Sequence, residues 1–338
     1  MAALTVAVVL AGCSAPGTPR SAGTGATTPA AHDTDGTDAR PRQPAAVPTD
    51  DNPTSTSTPV PPATPAPSAP RPPLSVTSAT LHFVDASRPT ISRGRTVASS
   101  RTLTTLVWYP AAAGRWPLVV FAHGFQVGPG PYAHLCQTWA SAGYVVAAPE
   151  FPLTDSAVAG AALDEADISQ QPGDVRFVIT SLLDPSASLS GRIDPGRVAV
   201  AGHSDGGETA LAVGYLPGDS DARVKAVIAL SVQPLPQIGP PPPGPATPLL
   251  VAQGDRDTIN PPASGQAVYD QAGPPRWLLR LEGAGHLPPF AGGTVWQPVV
   301  DKVTVDFLNR YLGGGNGPGG DLAVDGDKAG VASITGDG

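Results

Sequence analysis

The stretch Val198-Ala199-Val200-Ala201-Gly202-His203-Ser204-Asp205-Gly206-Gly207 passes from a continuous apolar run, through Gly-x-Ser-x-Gly, into residues of helical character. An unbroken Val/Ala run suits a strand covered on both faces, as in a parallel sheet between layers of helices. A tight turn from such a strand into a helix holds the serine backbone in a strained conformation and pushes its Oγ into a cleft. The flanking glycines relieve the crowding. In a chain with 39 glycines, about 0.3 matches to this motif arise by chance. Its weight comes from its position between strand and helix.

Outward from this turn, short apolar runs alternate with amphipathic stretches, the pattern of an α/β fold with a mostly parallel central sheet flanked by helices. Strands are expected at 102–109, 118–122, 144–148, 198–202, 226–230, 249–253 and 277–281. Helices are expected at 132–141, 172–183, 208–213, 263–271 and 295–312. In such sheets the chemistry gathers at the carboxyl ends of the strands. No large cap domain is expected, because the loop containing Gly239-Pro240-Pro241-Pro242-Pro243-Gly244 is short and proline-rich. This loop should partly wall an open cleft.

A serine hydroxyl needs a base to take its proton, and the base needs an acid to hold its tautomer. Both partners should follow Ser204 in the order acid, then histidine. The strand Leu249–Gln253 ends in Gly254-Asp255-Arg256-Asp257-Thr258-Ile259. Asp257 is the better candidate for the acid, while Asp255 suits capping the turn or pairing with Arg256. Leu281-Glu282-Gly283-Ala284-Gly285-His286 then places in a flexible loop the only histidine downstream of the acid. His32, His82 and His134 are set aside by position.

Acyl transfer also requires backbone donors at the developing oxyanion. Asp205, which follows the nucleophile, supplies one N–H. Phe125, in His123-Gly124-Phe125 after the strand Leu118–Ala122, supplies the other, with its ring as a wall of the acyl pocket. His123 and His203 are expected to support these loops by hydrogen bonding. They are not a metal pair, since no third ligand stands at suitable spacing, and no cofactor is called for.

The 338-residue chain divides by composition. Residues 1–13 read as an export signal: Leu4–Leu10 is too short an apolar run to span a bilayer, and it leads into Leu10-Ala11-Gly12-Cys13. Small residues before a cysteine resemble the bacterial lipoprotein box, which makes Cys13 a lipidation site and anchors the chain to a membrane. No Lys or Arg precedes the run, so the true start is open to lying upstream. Residues 14–73 are almost entirely Ala, Pro, Thr, Ser, Gly and Asp and read as a disordered linker. Residues 74–312 form the expected catalytic domain, and 313–338 an expected Gly-rich disordered tail. With Cys13 lipidated, Cys136 is left without a disulfide partner and reads as a small buried hydrophobe. A net charge of −8 excludes a basic nucleic-acid footprint and points to a small-molecule or lipid ester as substrate.

The segment from Thr102 to Leu312 resembles the α/β-hydrolase family, and within it the branch of bacterial cutinase-like polyester hydrolases, platelet-activating-factor acetylhydrolases and chlorophyllase-like proteins. The resemblance is carried by Trp108-Tyr109-Pro110, His123-Gly124-Phe125, Ala142-Gly143-Tyr144-Val145-Val146-Ala147-Ala148-Pro149, Gly202–Gly207, Asp257-Thr258-Ile259 and Gly285-His286. It implies a serine carboxylic-ester hydrolase working through an acyl-enzyme, with short to medium acyl chains. Asp257-Thr258-Ile259-Asn260-Pro261 is similar to the acid loop of the polyester hydrolases, and Phe125 falls where they carry an aromatic oxyanion residue. Two departures favour a smaller ester over an aromatic polymer. Ser231-Val232-Gln233-Pro234-Leu235 lacks their stacking tryptophan, and residue 205 is acidic where they carry a larger neutral side chain. Two rivals use the same residues differently: a cell-envelope acyltransferase with this triad, and a non-catalytic surface binding protein on this fold.

Overall fold

In the computed structural model, residues 72–234, 247–313 and 319–338 are described. All belong to one compact unit, Thr64–Gly338. The export signal, Cys13, nearly all of the expected linker and the proline loop at 239–244 lie outside the described residues.

The strands are β1 (Val76–Asp85), β2 (Thr90–Ser92), β3 (Arg95–Ala98), β4 (Arg101–Pro110), β5 (Trp116–Ala122), β6 (Val145–Pro149), β7 (Ile193–His203), β8 (Val224–Leu230), β9 (Leu249–Gly254), β10 (Arg276–Leu281) and β11 (Ala332–Asp337). The helices are α1 (Ala133–Ser141), α2 (Ser156–Ala159), α3 (Gln171–Leu183), α4 (Asp205–Tyr215), α5 (Pro262–Gln271), α6 (Gln297–Tyr311) and α7 (Leu322–Asp325). Among the described residues, nine strands form one sheet in the order β1-β4-β6-β5-β7-β8-β9-β10-β11. The run from β6 to β10 is parallel, and β1, β4 and β11 pair antiparallel. The remaining two strands, β2 and β3, make a separate hairpin. This is the α/β-hydrolase arrangement expected from the sequence.

Alternation along the central strands feeds two cores. Val119 and Phe121 of β5 face Trp139 of α1 and Val303 and Phe307 of α6. Leu118, Val120 and Ala122 face Val178 and Leu182 of α3, Leu211 of α4 and Val268 of α5. Burial on both faces explains why these strands read as unbroken apolar runs. Cys136 lies fully buried in the first core, and burial pushes its thiol far up, away from reactivity.

The expected disordered tail requires correction. Its described part folds back: Ala332–Asp337 pairs with β10 as an edge strand, with Leu279 opposite Ile334 and Leu281 opposite Ala332. Leu322 and Ala332 are buried in the core that α6 covers. Within that strand Gly336 stands opposite Trp277. A Cβ there would come within 2.3 Å of the Trp277 ring, so the missing side chain makes room for an indole.

A second feature invisible to hydropathy ties the first antiparallel strands to α3. Arg101, fully buried at the start of β4, donates to both oxygens of Asp167 at 2.9 and 2.8 Å and of Asp174 at 2.7 and 2.6 Å. Arg88 joins them through Asp174 at 2.6 Å and Asp85 at 2.6 Å. Burial opposes the Arg101 charge, but its bonds to the two carboxylates outweigh that and hold it more firmly protonated.

Candidate active site

Ser204 stands between the end of β7 and the start of α4, at φ +55° and ψ −124°. A non-glycine residue here stores on the order of 1–3 kcal/mol of strain. The surroundings hold it: Ser204 N–H donates to Leu230 O at 2.9 Å, and Ser204 O accepts from Gly207 N–H at 2.8 Å and Glu208 N–H at 3.1 Å. The two motif glycines are needed for contact. A Cβ on Gly202 would lie 2.0 Å from Gly206 O, and one on Gly206 would lie 2.1 Å from Ala122 O. The first turn of α4 therefore presses against the ends of β5 and β7, and only glycine allows that approach.

Asp257 follows β9. Its Oδ1 accepts from the N–H groups of Ile259 and Asn260, both at 2.9 Å, and its Oδ2 accepts from Gln253 at 3.1 Å and lies 2.8 Å from His286 Nδ1. Burial pushes the Asp257 carboxyl up, but His286 and the two backbone donors outweigh it and hold the carboxyl below its usual range. An ionised Asp257 places the imidazole proton on Nδ1 and leaves Nε2 as the proton acceptor. Asp255 is engaged elsewhere, accepting from Gly283 N–H at 2.6 Å. It thus braces the histidine loop, and among the described residues it forms no ion pair with Arg256.

The loop after β5 is set by His123. Phe151 N–H donates to His123 Nε2 at 3.1 Å, so the ring proton sits on Nδ1 and donates to Gly124 O at 2.9 Å. The His123 ring is fully buried, and burial lowers its pKa, favouring the neutral form these bonds require. In a planar trans peptide the C=O and the following N–H point opposite ways. The bond that fixes Gly124 O therefore also fixes the direction of Phe125 N–H, which donates to no group among the described residues.

His203 is bonded at both nitrogens: Nδ1 lies 2.8 Å from Tyr132 Oη and Nε2 lies 3.0 Å from His286 O. Its ring centroid is 4.6 Å from that of His286. Burial, with His286 beside it, drives its pKa down to about 3, so it is neutral at any working pH. The hydrogen bonding of His203 to its neighbouring loops was expected from the sequence, but its partner Tyr132 was not singled out, since 71 residues separate the two. His134 sits apart in α1, 2.8 Å from Asp301.

Beside the nucleophile, Asp205 belongs to an acidic group whose other members, Glu165 and Glu208, were not singled out from the sequence. Burial, with Glu165 nearby, raises Asp205 to about 6, and burial with Asp205 and Glu165 raises Glu208 to about 7. Asp205 Oδ2 is buried with no hydrogen-bond partner among the described residues.

Thus Ser204, Asp257, His286, Phe125 and Asp205 come from the ends of β7, β9, β10 and β5, and Asp257 and His286 are in direct contact. Such an arrangement can deprotonate a hydroxyl and present N–H donors to an oxyanion.

The profile of the family described as Chlorophyllase matches residues 83–237. The chain is 29% identical over 238 residues to bis(hydroxyethyl) terephthalate hydrolase from Streptomyces coelicolor, covering 68% of this chain and 70% of that protein. Among solved structures it resembles a ferulic acid esterase from Streptomyces cinnamoneus, with a TM-score of 0.58, 24% identity, and coverage of 73% of this chain and 92% of that one. The chain has the α/β-hydrolase fold, and its likeness to these hydrolases makes it a carboxylic-ester hydrolase.

Proposed function

We propose that the protein hydrolyses small, neutral carboxylic esters outside the cell through an acyl-enzyme on Ser204. His286 Nε2 takes the Ser204 hydroxyl proton as Oγ attacks the ester carbonyl carbon. The oxyanion so formed is met by the N–H groups of Phe125 and Asp205. As the carbonyl re-forms, the carbon–oxygen bond to the alcohol breaks and His286 returns its proton to the departing alcohol. Water, deprotonated by the same imidazole, then attacks the acyl-enzyme, the bond from the acyl carbon to Ser204 Oγ breaks, and His286 returns the proton to Oγ as the acid leaves. Asp257 stays ionised throughout and stabilises the imidazolium.

The observation that carries this reading is the 2.8 Å bond from His286 to Asp257. The companion relative acts on bis(hydroxyethyl) terephthalate by its name, and a small diester of that kind is the first substrate to test, alongside p-nitrophenyl acetate and butyrate. Export and anchoring through Cys13 are supported by the apolar run Leu4–Leu10 and the small residues before the cysteine. Ser204→Ala should abolish turnover of all three esters while leaving the circular dichroism spectrum unchanged. Turnover retained by that variant rejects the reading.

A further inference from the structure

Three loops meet at the site, and one buried imidazole touches two of them. His203 immediately precedes Ser204. Its Nε2 faces only a carbonyl, that of His286 at 3.0 Å, and a carbonyl can only accept. Nε2 therefore carries the ring proton and Nδ1 is bare. The 2.8 Å contact at Nδ1 must then be donated by the Tyr132 hydroxyl. Tyr132 Oη in turn packs against the backbone of Gly124, in the loop that carries Phe125. The chain of donation runs from Tyr132 Oη–H to His203 Nδ1 and from His203 Nε2–H to the His286 carbonyl, with the Tyr132 hydroxyl seated against the Gly124 backbone.

The packing leaves little slack along this chain. Tyr132 is fully buried and His203 is 2% exposed. A Cβ on Gly124 would lie 3.1 Å from His203 Nδ1, 3.3 Å from Tyr132 Oη and 3.3 Å from Ser204 Cβ. The Tyr132 ring rests on Phe121 at 4.8 Å between centroids, and the His203 ring rests on Phe290 at 5.4 Å. His286 is thereby held at two points, its ring by Asp257 and its backbone by His203. The second hold is shared with the loop that carries Phe125.

We propose that His203 is a positioning residue which, with Tyr132, locks the histidine loop and the oxyanion loop into one frame around Ser204. It moves no proton in the reaction. Its neutral ring sets where His286 stands relative to the nucleophile and where Phe125 N–H points. The inference rests on the esterase reading above.

The test compares His203→Phe, His203→Gln and Tyr132→Phe in the full chain, with p-nitrophenyl butyrate as substrate. Functional sites are counted by titration with a fluorophosphonate, so that misfolded protein drops out of kcat. His203→Phe removes both bonds and should lower kcat by about 100-fold, the order expected when a reacting group is displaced by about 1 Å. KM should stay within about twofold, since no substrate contact is removed. His203→Gln keeps a donor for the His286 carbonyl and should recover at least about fivefold over the phenylalanine variant. Tyr132→Phe removes the hydroxyl that joins His203 Nδ1 to the oxyanion loop, leaves the His286 carbonyl bond in place, and should cost about tenfold in kcat. A kcat per titrated site within about twofold of the parent in both phenylalanine variants, whatever their melting temperatures, overturns the proposal and leaves His203 a packing residue. Ser204→Ala is assayed beside them. Turnover surviving there rejects the esterase reading itself, independently of the His203 result.

Discussion

His286 Nδ1 and Asp257 Oδ2 lie 2.8 Å apart, and the carboxylate has no freedom to leave, because Ile259 N–H, Asn260 N–H and Gln253 Nε2 also hold it. Asp257→Asn keeps the shape but offers a carboxamide where the imidazole needs an acceptor for its Nδ1 proton. The ring then favours the wrong tautomer. We expect kcat for p-nitrophenyl butyrate to fall by about 10³- to 10⁴-fold with a melting temperature close to that of the parent. A fall below about tenfold would move the acid role elsewhere, and Asp255→Asn, expected to stay within about threefold, is the control.

The close approach at the nucleophile turn makes a separate prediction about stability. Gly206→Ala would place a methyl 2.1 Å from the Ala122 carbonyl oxygen, and neither atom belongs to a flexible side chain. The helix must back away from β5, which costs at least about 3 kcal/mol and carries Ser204 with it. The variant should accumulate in the insoluble fraction or unfold early in urea. Wild-type-like unfolding would show that α4 does not sit where it is described.

These two predictions concern the part of the molecule that was readable in advance. Val198–Gly207 announces a strand, a turn and a helix through local composition alone, and Asp257 and His286 follow from chain order. What was not readable depends on contacts distant in sequence. Tyr132 has no local feature that marks it as the partner of His203. Arg101 finds Asp167 and Asp174 across 66 and 73 residues. β1, at the sheet edge, is mostly half-exposed or exposed, so it lacks the unbroken apolar run that marks the central strands.

The acidic group beside Ser204 should appear in the pH dependence of stability. Glu208 is raised from 4.5 to about 7 and Asp205 from 3.8 to about 6. The folded state thus binds these protons more tightly than the unfolded chain, and stability must fall as pH rises from about 4 to about 7 and level off above that. Glu208→Gln removes one of the two charges that resist burial. We expect about 1 kcal/mol of stabilisation at pH 8, after allowance for solvent screening, or about 2–4 °C in melting temperature, and almost none at pH 5. An equal shift at both pH values would refute the electrostatic origin.

Arg101 poses the opposite case, a buried cation whose partners cannot rehydrate. Arg101→Met would leave Asp167 and Asp174 buried without their shared counter-charge. Removing one member of such a group costs roughly 3–5 kcal/mol, readable as a lower urea midpoint. The triple variant Arg101→Met, Asp167→Asn, Asp174→Asn removes the charges together and should recover a large part of that loss. If the single substitution costs less than about 1 kcal/mol, the network is not the tie between β4 and α3 that its geometry describes.

The returning C-terminal strand makes the last prediction, and it bears on the active site through β10. Glu282 N–H donates to Val331 O at 2.8 Å, at the root of the loop that ends in His286. Lys302 of α6 bridges Asp306 and, at 2.9 Å, Asp325 of the returning segment. Deleting residues 319–338 would bare the backbone edge of β10 and uncover the core around Leu322 and Ala332. Losing that burial costs about 3 kcal/mol or more, which in a domain of this size lowers the melting temperature by roughly 6–12 °C, and the open edge should promote aggregation. Activity per folded molecule should decline less steeply than stability, because His286, in the loop after β10, is still held by Asp257 at its ring and by His203 at its backbone. A truncated chain melting within about 2 °C of the parent would mean that the segment rests on β10 without supporting it, and the edge would then have to be protected by Arg276 and Arg280 of β10 itself.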